Sequence, residues 1–344
     1  MELGERKLQI LQAIIDDFII SAEPVGSRTI AKKYGMGISS ATIRNEMADL
    51  EEMGYLEQPH TSSGRIPSDK AYRLYVDRLM KVRALSPVEA ESIKRIYDKK
   101  IRQIEQVIVQ TTKILSEMTN YTSVVIAPVP QEVLIRHIQL VPIDTHFALV
   151  VVVTNTGIIK DSIVMIPDGM DSDYLNRISN ILNEKLRGKN LRNIGGEFLP
   201  EIHQEFLKNR KFFNSLVDAL TESLSTQEQR DVYLGGTSNI FNFPEYQDIL
   251  KAKAFLSLME EKELLYNVLT KSTDEGVTVT IGAENEVEEM KECSIVTATY
   301  HIGDKMIGTI GIIGPTRMEY SKAVSVMDYM GKTLSAYLTR LFTK

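Results

Sequence analysis

The stretch SSATIRNEMADLEEMG, Ser39 to Gly54, constrains this chain more than any other. Ser39 is placed as an N-cap, its hydroxyl able to accept from a first-turn amide that has no partner inside a helix. Ile43, Met47 and Leu50 recur at i, i+4 and i+7, one apolar stripe for a core, and Gly54 supplies a left-handed stop. Ser40, Thr42, Arg44 and Asn45 are left on the outer or N-terminal side. Hydroxyls and helix-start amides hold phosphate oxygens, Arg pairs bidentately with guanine, and Asn with adenine. On this helix alone, a capped surface helix and a reader of a DNA groove are equally good descriptions.

The flanking residues separate the two. Upstream, Leu8, Leu11, Ile15 and Phe18 mark one face of a helix closed by Ala22, Glu23 and Pro24. Ser27 to Tyr34 gives a short second helix with Ile30 and Ala31 inward, and the turn Gly35-Met36-Gly37 leads into the third. Short helix, tight turn and capped helix form a helix-turn-helix. Downstream, Tyr55 and Leu56 read as a strand, Pro59 to Gly64 turns, and Arg65-Ile66-Pro67 returns, the hairpin of a winged helix.

Four motifs in this order, PVGSRTIA (Pro24 to Ala31), ATIRNEMADLE (Ala41 to Glu51), QPHTSSGRIP (Gln58 to Pro67) and YRLYVD (Tyr72 to Asp77), resemble the N-terminal domain of the HrcA family, heat-inducible transcription repressors of bacteria. Each is weak alone; together they are specific. The chain departs from the family pattern at Ser40, where proline is common, and at Ala71, where glycine is common. Neither change removes a side chain expected to touch DNA.

A formal net charge of −6 runs against DNA binding until its distribution is considered. The first 83 residues carry equal numbers of basic and acidic side chains, so the excess acid lies in the remainder. Within the neutral segment the signs separate. Residues 24–48 carry Arg28, Lys32, Lys33 and Arg44 against Glu46, and residues 59–83 carry six bases against Asp69 and Asp77. Exposed charges act over only about 8 Å at ~0.15 M salt, so a local basic face can bind phosphates on an acidic chain.

The rest of the chain reads as α+β. Ser86-Pro87-Val88-Glu89 opens a helix with a capping box, and the periodicity predicts that it runs to about Met118, roughly 50 Å. Its stripe Ile104, Ile108, Thr111, Leu115 and Met118 could pair with a second subunit or pack on its own domain; barely two heptads favour the latter. Strands are expected at Ser123–Ala127, Leu134–Val141, His146–Val153 and Ile158–Ile166, with a hairpin turn at Asn155-Thr156-Gly157. Helices are expected at Asp173–Leu186, Ile202–Leu224 and Tyr246–Tyr266, while Asp231–Phe243 has no clear period. Strands at Gly276–Ala283, Ser294–His301 and Lys305–Ile313 precede a last helix, Tyr320–Phe342. This order resembles a GAF-like sensory fold around an antiparallel sheet. The fold class is therefore α+β multidomain: a winged helix-turn-helix over residues 1–83, a discontinuous GAF-like α/β sensory-type domain over 84–133 and 227–344, and an inserted α+β dimerisation domain over 134–226. The insertion and its dimerising role are what the resemblance implies.

No catalytic machinery is legible. Walker loops, nucleophile elbows and zinc-binding spacings are missing, and the histidines His60, His137, His146, His203 and His301 are scattered. The single Cys293 excludes an internal disulfide and a cysteine metal site, and fits a packed strand end. Gly308, Gly311 and Gly314 imitate a phosphate loop but fit a strand with close backbone packing better. No metal and no cofactor are expected. No apolar run reaches the ~20 residues of a membrane span, and the start lacks a signal peptide's apolar core, so the chain is expected to be cytoplasmic, with no membrane partner.

The expected activity is that of a sequence-specific, non-enzymatic repressor bound to double-stranded DNA as a homodimer. Arg44 and Asn45 are expected to read base edges, and Ser39, Ser40 and Thr42 to serve the helix start, with phosphate and base contacts shared by Ser40 and Thr42. Arg28, Lys32, His60, Thr61, Ser63 and Arg65 are expected to position the head through phosphates or the wing's minor groove. The resemblance implies the target, the CIRCE inverted repeat upstream of the GroE and DnaK chaperone operons, and control by the GroE chaperonin, for which stress-unfolded proteins compete. A second expectation, a small effector bound in the GAF-like domain, stays open.

Overall fold

Residues 3–60, 63–98, 104–127, 134–154, 159–167, 169–190, 210–225, 232–271 and 276–342 are described by the computed structural model. The chain divides into two compact units, Met1–Ala127 with Val232–Lys344, and Pro128–Asp231.

The first unit begins with three helices, α1 (Glu5–Ser21), α2 (Ser27–Tyr34) and α3 (Ser40–Glu52), then a two-stranded antiparallel hairpin, β1 (Leu56–Glu57) and β2 (Ile66–Pro67). Positive φ at Ala22 ends α1, and Gly35 and Gly37, at +54° and +67°, make the turn between α2 and α3. Next come α4 (Asp69–Leu74), which runs into a π turn at Tyr75–Leu79, then α5 (Pro87–Asp98) and α6 (Ile104–Thr119). Residues 99–103, inside the single helix expected from Ser86 to Met118, lie outside the described residues. Ile108, Thr111 and Leu115 are buried within this chain, so the stripe packs on its own unit.

A five-stranded antiparallel sheet completes the unit. Its strands β3 (Thr122–Ile126), β7 (Val232–Gly235), β8 (Val277–Ile281), β9 (Cys293–Ile302) and β10 (Lys305–Pro315) lie in the order β7-β3-β10-β9-β8. The last helix, α11 (Tyr320–Phe342), lays Met327, Met330, Leu334 and Leu338 on one face. Two further helices, α9 (Ile249–Glu260) and α10 (Lys262–Thr270), cover the other with Phe255, Leu258, Leu265 and Leu269. The sequence suggested one helix from Tyr246 to Tyr266; Glu261, at ψ 69°, breaks it, and both halves still meet the sheet. Val232–Gly235, within a stretch of no clear period, is a strand because β3 supplies its partner. The three glycines of β10 are a packing feature: a Cβ at Gly308, Gly311 or Gly314 would strike Tyr300, Leu269 or Tyr121.

One apolar core runs from the three helices into the sheet. It holds Ile10, Ile14 and Ile15 of α1, Ile43 and Leu50 of α3, Tyr72 and Tyr75, and then Tyr320, Met327, Val296 and Tyr300. The Tyr72 and Tyr320 rings meet at 5.8 Å. Polar contacts follow the same seam. Arg73 donates through Nε to Glu284 at 2.7 Å and through a terminal nitrogen to the Val279 carbonyl at 2.6 Å, and the Ala283 amide donates to Asp69 at 2.8 Å. Arg317, almost fully buried, pairs with Glu245 and donates to the Ile19 carbonyl at 2.9 Å.

The second unit is a three-stranded antiparallel sheet, β4 (Ile135–Pro142), β5 (Phe147–Thr154) and β6 (Ile159–Met165), with helices α7 (Ser172–Leu186) and α8 (Arg210–Ser225) on one face. The turn expected at Asn155-Thr156-Gly157 and residues 202–209 of an expected helix lie outside the described residues. Ile138, Leu140, Val150 and Val152 face Leu175, Ile178, Leu182 and Phe213. Asn183 of α7 accepts from the Ile138 amide at 2.8 Å and donates to its carbonyl at 2.7 Å, while Ser179 accepts from the Leu140 amide. These side chains occupy backbone groups of an edge strand that would otherwise invite another strand. Among the described residues, the opposite sheet face carries an exposed apolar patch beside His137, Gln139 and Asp161: Leu149 lies across from Val141 and Ile163, and Phe147 across from Met165, with Ile163 64% and Met165 65% exposed.

The Arg73 to Glu284 pair carries a pH signature. Burial alone would raise the Glu284 carboxyl, but hydrogen bonds from Arg73 and the Ile281 amide outweigh it and hold it below the ordinary carboxylate range. A lowered acid adds stability above its unfolded value near ~4.3 and loses it as pH falls through the folded value. Glu284→Gln is therefore expected to cost about 1 kcal/mol at neutral pH, discounted for the pair's partial exposure. In urea unfolding followed from pH 7 to pH 3, its deficit against wild type should close below pH 4.

Candidate nucleic-acid interface

Local chemistry builds α3 as its sequence suggests. Ser39 caps it, its hydroxyl accepting from the Thr42 amide at 3.1 Å and meeting the Thr42 hydroxyl at 3.0 Å. At the other end Gly54, at φ +77°, allows its amide to reach the Glu51 carbonyl and the Tyr55 amide to reach Leu50, a Schellman closure. Ile43, Met47 and Leu50 are buried, which turns Arg44 and Asn45 outward; both are exposed, and Ser40 and Thr42 are half-buried.

Three of the four acids of α3 are occupied from behind, and Glu52 has no ion pair among the described residues. Lys7 of α1 reaches Glu46 at 2.7 Å and Asp49 at 2.8 Å, and both contacts raise the lysine's pKa, Asp49 more strongly. Glu51 pairs with Arg65 of the hairpin at 2.8 Å. On α2, Lys33 turns back to Asp17 of α1, while Lys32 and Arg28 point outward. Among the described residues, Arg28, Lys32 and Arg44 have no acidic partner. The surface of α2 and α3 is thus more positive than the residue count implies.

Arg28, Arg44, Ser63 and Arg65 line one cleft of about 490 Å³ between the start of α2, the flank of α3 and the hairpin, together with Ser27 and Gln58. Lys32, Ser39, Ser40, Thr42 and Asn45 stand outside it, along the two helices, and His60 is exposed at the hairpin tip. Thr61 lies outside the described residues. Three expected contacts also have internal work. The Ser39 hydroxyl is the cap; the Ser63 hydroxyl donates to the His60 carbonyl at 2.6 Å and accepts from its amide; Arg65 is four-fifths covered and bound to Glu51. Ser27 and Gln58 were not singled out in the sequence, although Ser27 stands at the first position of an uncapped helix, a recognisable phosphate-facing place.

Gly64 fixes the hairpin against the α1–α2 loop. Val25 and Arg65 exchange two backbone hydrogen bonds at 2.9 Å, and a Cβ on Gly64 would come within 2.5 Å of the Val25 carbonyl. Among the described residues there is no metal-ligand cluster, and no helix is long and apolar enough to cross a membrane.

Comparison with known proteins decides the family. Residues 105–324 match the family described as HrcA protein C terminal domain. Over 98% of both chains the sequence is 47% identical to the heat-inducible transcription repressor HrcA of Alkaliphilus metalliredigens, and over 99% of both it is 46% identical to that of Ruminiclostridium cellulolyticum. The chain belongs to the HrcA family. The HrcA C-terminal match starts in α6 and ends in α11, whereas the full-length HrcA relatives also span the helices and hairpin of the cleft. HrcA proteins are described as transcription repressors, so this is not an enzyme family. A crystal structure of a hypothetical protein at 2.2 Å resolution shares the fold, with a TM-score of 0.72 at 24% identity over 99% of this chain and all of the other.

Gly64→Ala is expected to lower stability by about 1 to 3 kcal/mol, because two backbones cannot yield to a methyl group as a flexible side chain would. Chemical denaturation of the purified variant measures this.

Proposed function

We propose that this chain is a sequence-specific DNA-binding repressor that acts in the cytoplasm as a homodimer, using residues 1–83 as a winged helix-turn-helix. The carrying observation is the exposed Arg44-Asn45 pair on a helix three of whose four acids are paired from behind, beside a cleft walled by arginines. With α3 in the major groove, Arg44 and Asn45 read base edges, and Ser40 and Thr42 contact bases or phosphates near the helix start. Arg28, Lys32 and the hairpin residues His60, Thr61 and Ser63 hold the backbone, while Arg65 chiefly fixes the hairpin to α3.

Membership of the HrcA family supports the CIRCE inverted repeat of the GroE and DnaK operons as the target and the GroE chaperonin as the modulator. An inverted repeat needs a two-fold dimer. The exposed apolar patch on β4, β5 and β6, with Val141, Leu149, Ile163 and Met165, supports the second unit as the place where two copies meet, and the five-stranded sheet with its helices serves as a GAF-like body.

Arg44→Ala should weaken operator binding by about 1 to 3 kcal/mol and relax preference at one base pair. Lys32→Ala should weaken operator and scrambled DNA alike and reduce the salt slope by about 1. Competition binding with both DNAs over a salt series separates the roles; an unchanged operator-to-scrambled ratio for Arg44→Ala removes its base-reading role. Ile163→Asp should yield monomers in sedimentation velocity and leave far-UV circular dichroism unchanged. A dimer that persists would place the interface elsewhere.

A further inference from the structure

A helix lying in a major groove has a sugar-phosphate backbone on each side of it, and the two backbones belong to opposite strands of the duplex. The two flanks of α3 are chemically distinct. Arg44 and Met47 turn toward the arginine cleft, with Arg28, Ser63 and Arg65 on its other walls. Glu46 stands two positions after Arg44, about 200° further round the helix, and so belongs to the opposite flank. That flank faces the first turn of α1. Glu46 and Asp49 meet Lys7 at 2.7 and 2.8 Å, and Arg6 approaches Glu46 at 3.6 Å. Left to themselves, the two carboxylates would repel the second strand.

Arg6 and Lys7 do different things there. Lys7 is held between the two carboxylates with only 20% of its side chain exposed, so it cancels acid charge and reaches no further. Arg6 keeps 60% of its side chain in water and approaches Glu46 with one terminal nitrogen, beyond hydrogen-bond length. Among the described residues it has no other partner, which leaves its N–H donors to an acceptor outside the chain. Two bases then stand against Glu46 and Asp49, and the flank is neutral where it would otherwise be acidic. Neither base serves its own helix. The first turn of α1 is the positive end of its dipole, where cations are disfavoured.

We propose that Arg6 is a DNA contact, its guanidinium binding a phosphodiester of the strand opposite the one held by the arginine cleft. Lys7 is the positioning residue that permits this approach by cancelling Glu46 and Asp49. The ligand is the sugar-phosphate backbone of duplex DNA, so Arg6 adds affinity and register without a preference among base pairs. The inference rests on the DNA-binding reading of residues 1–83 and deepens it: with a contact on each strand, α3 is held across the groove and not along one wall.

The test measures duplex binding by the full chain over a salt series. Arg6→Gln is expected to weaken operator and scrambled DNA alike, about fivefold at ~0.15 M salt, and to reduce the salt slope by about 1. Arg6→Lys, which keeps the charge, should recover most of the loss. Lys7→Met should weaken both DNAs about twofold, and adding Glu46→Gln and Asp49→Asn to it should restore them. The strand is identified by replacing operator phosphates with uncharged methylphosphonates, one symmetry-related pair at a time. Within a half-site, the phosphate whose neutralisation makes Arg6→Gln silent should lie on the strand opposite the one that makes Arg28→Gln silent. An unchanged affinity and slope for Arg6→Gln, or a silent phosphate on the same strand as that of Arg28, overturns the Arg6 contact. A Lys7→Met loss that persists after both carboxylates are neutralised overturns the positioning role. A wild-type chain that binds no duplex refutes the DNA-binding reading and this contact with it, whereas wild-type binding unaltered by Arg6→Gln overturns the contact alone.

Discussion

The burial of Tyr72 and Tyr75 at the end of the hairpin determines what the rest of the molecule can do. Tyr72 lies against Tyr320 of the last helix, and Tyr75 donates to Asp16 of the first at 2.7 Å. Both phenols are pushed up from the ordinary tyrosine range, foremost by burial. The three helices that present Arg44 therefore have no separate core. Their apolar residues share one core with those of the sheet, and the Ile19 carbonyl near the end of α1 accepts from Arg317. Arg73 and Asp69 extend that seam onto the turn after β8.

That shared core explains what could be read in advance and what could not. The cap at Ser39, the stripe on α3, the stop at Gly54 and the turn at Gly35 to Gly37 are local, set by residue types within a few positions of one another, and they stand where the sequence puts them. On α1 a single face was legible through Leu11 and Ile15, yet Ile10 and Ile14 are equally buried, because α1 is packed on more than one side, by α2, α3, the hairpin and α4. β7 exists only because β3 is beside it. At the interface the residue types were legible and their commitments were not. Whether Ser63 or Arg65 faces outward depends on a turn and on Glu51, which no spacing rule reveals.

Charge follows the same logic. An acidic chain can carry a basic face when its acids have internal partners, and here α1 and the hairpin provide them. The pairs are partly exposed and add modestly to stability. Their greater effect is on the field in front of α3, where three of the helix's four carboxylates offset Arg44 less.

The outer surface of β5 has a consequence for the life history of the chain. Phe147, Leu149, Val151 and Val153 follow one another on the side away from the helices, so a strand with one buried side has apolar residues on both. Apolar side chains left in water draw molecules together, and how soon they meet depends on their concentration. If two copies pair there, as proposed above, abundance governs both how long each molecule stays adhesive and how many complete pairs exist, a dosage dependence written into four residues of one strand.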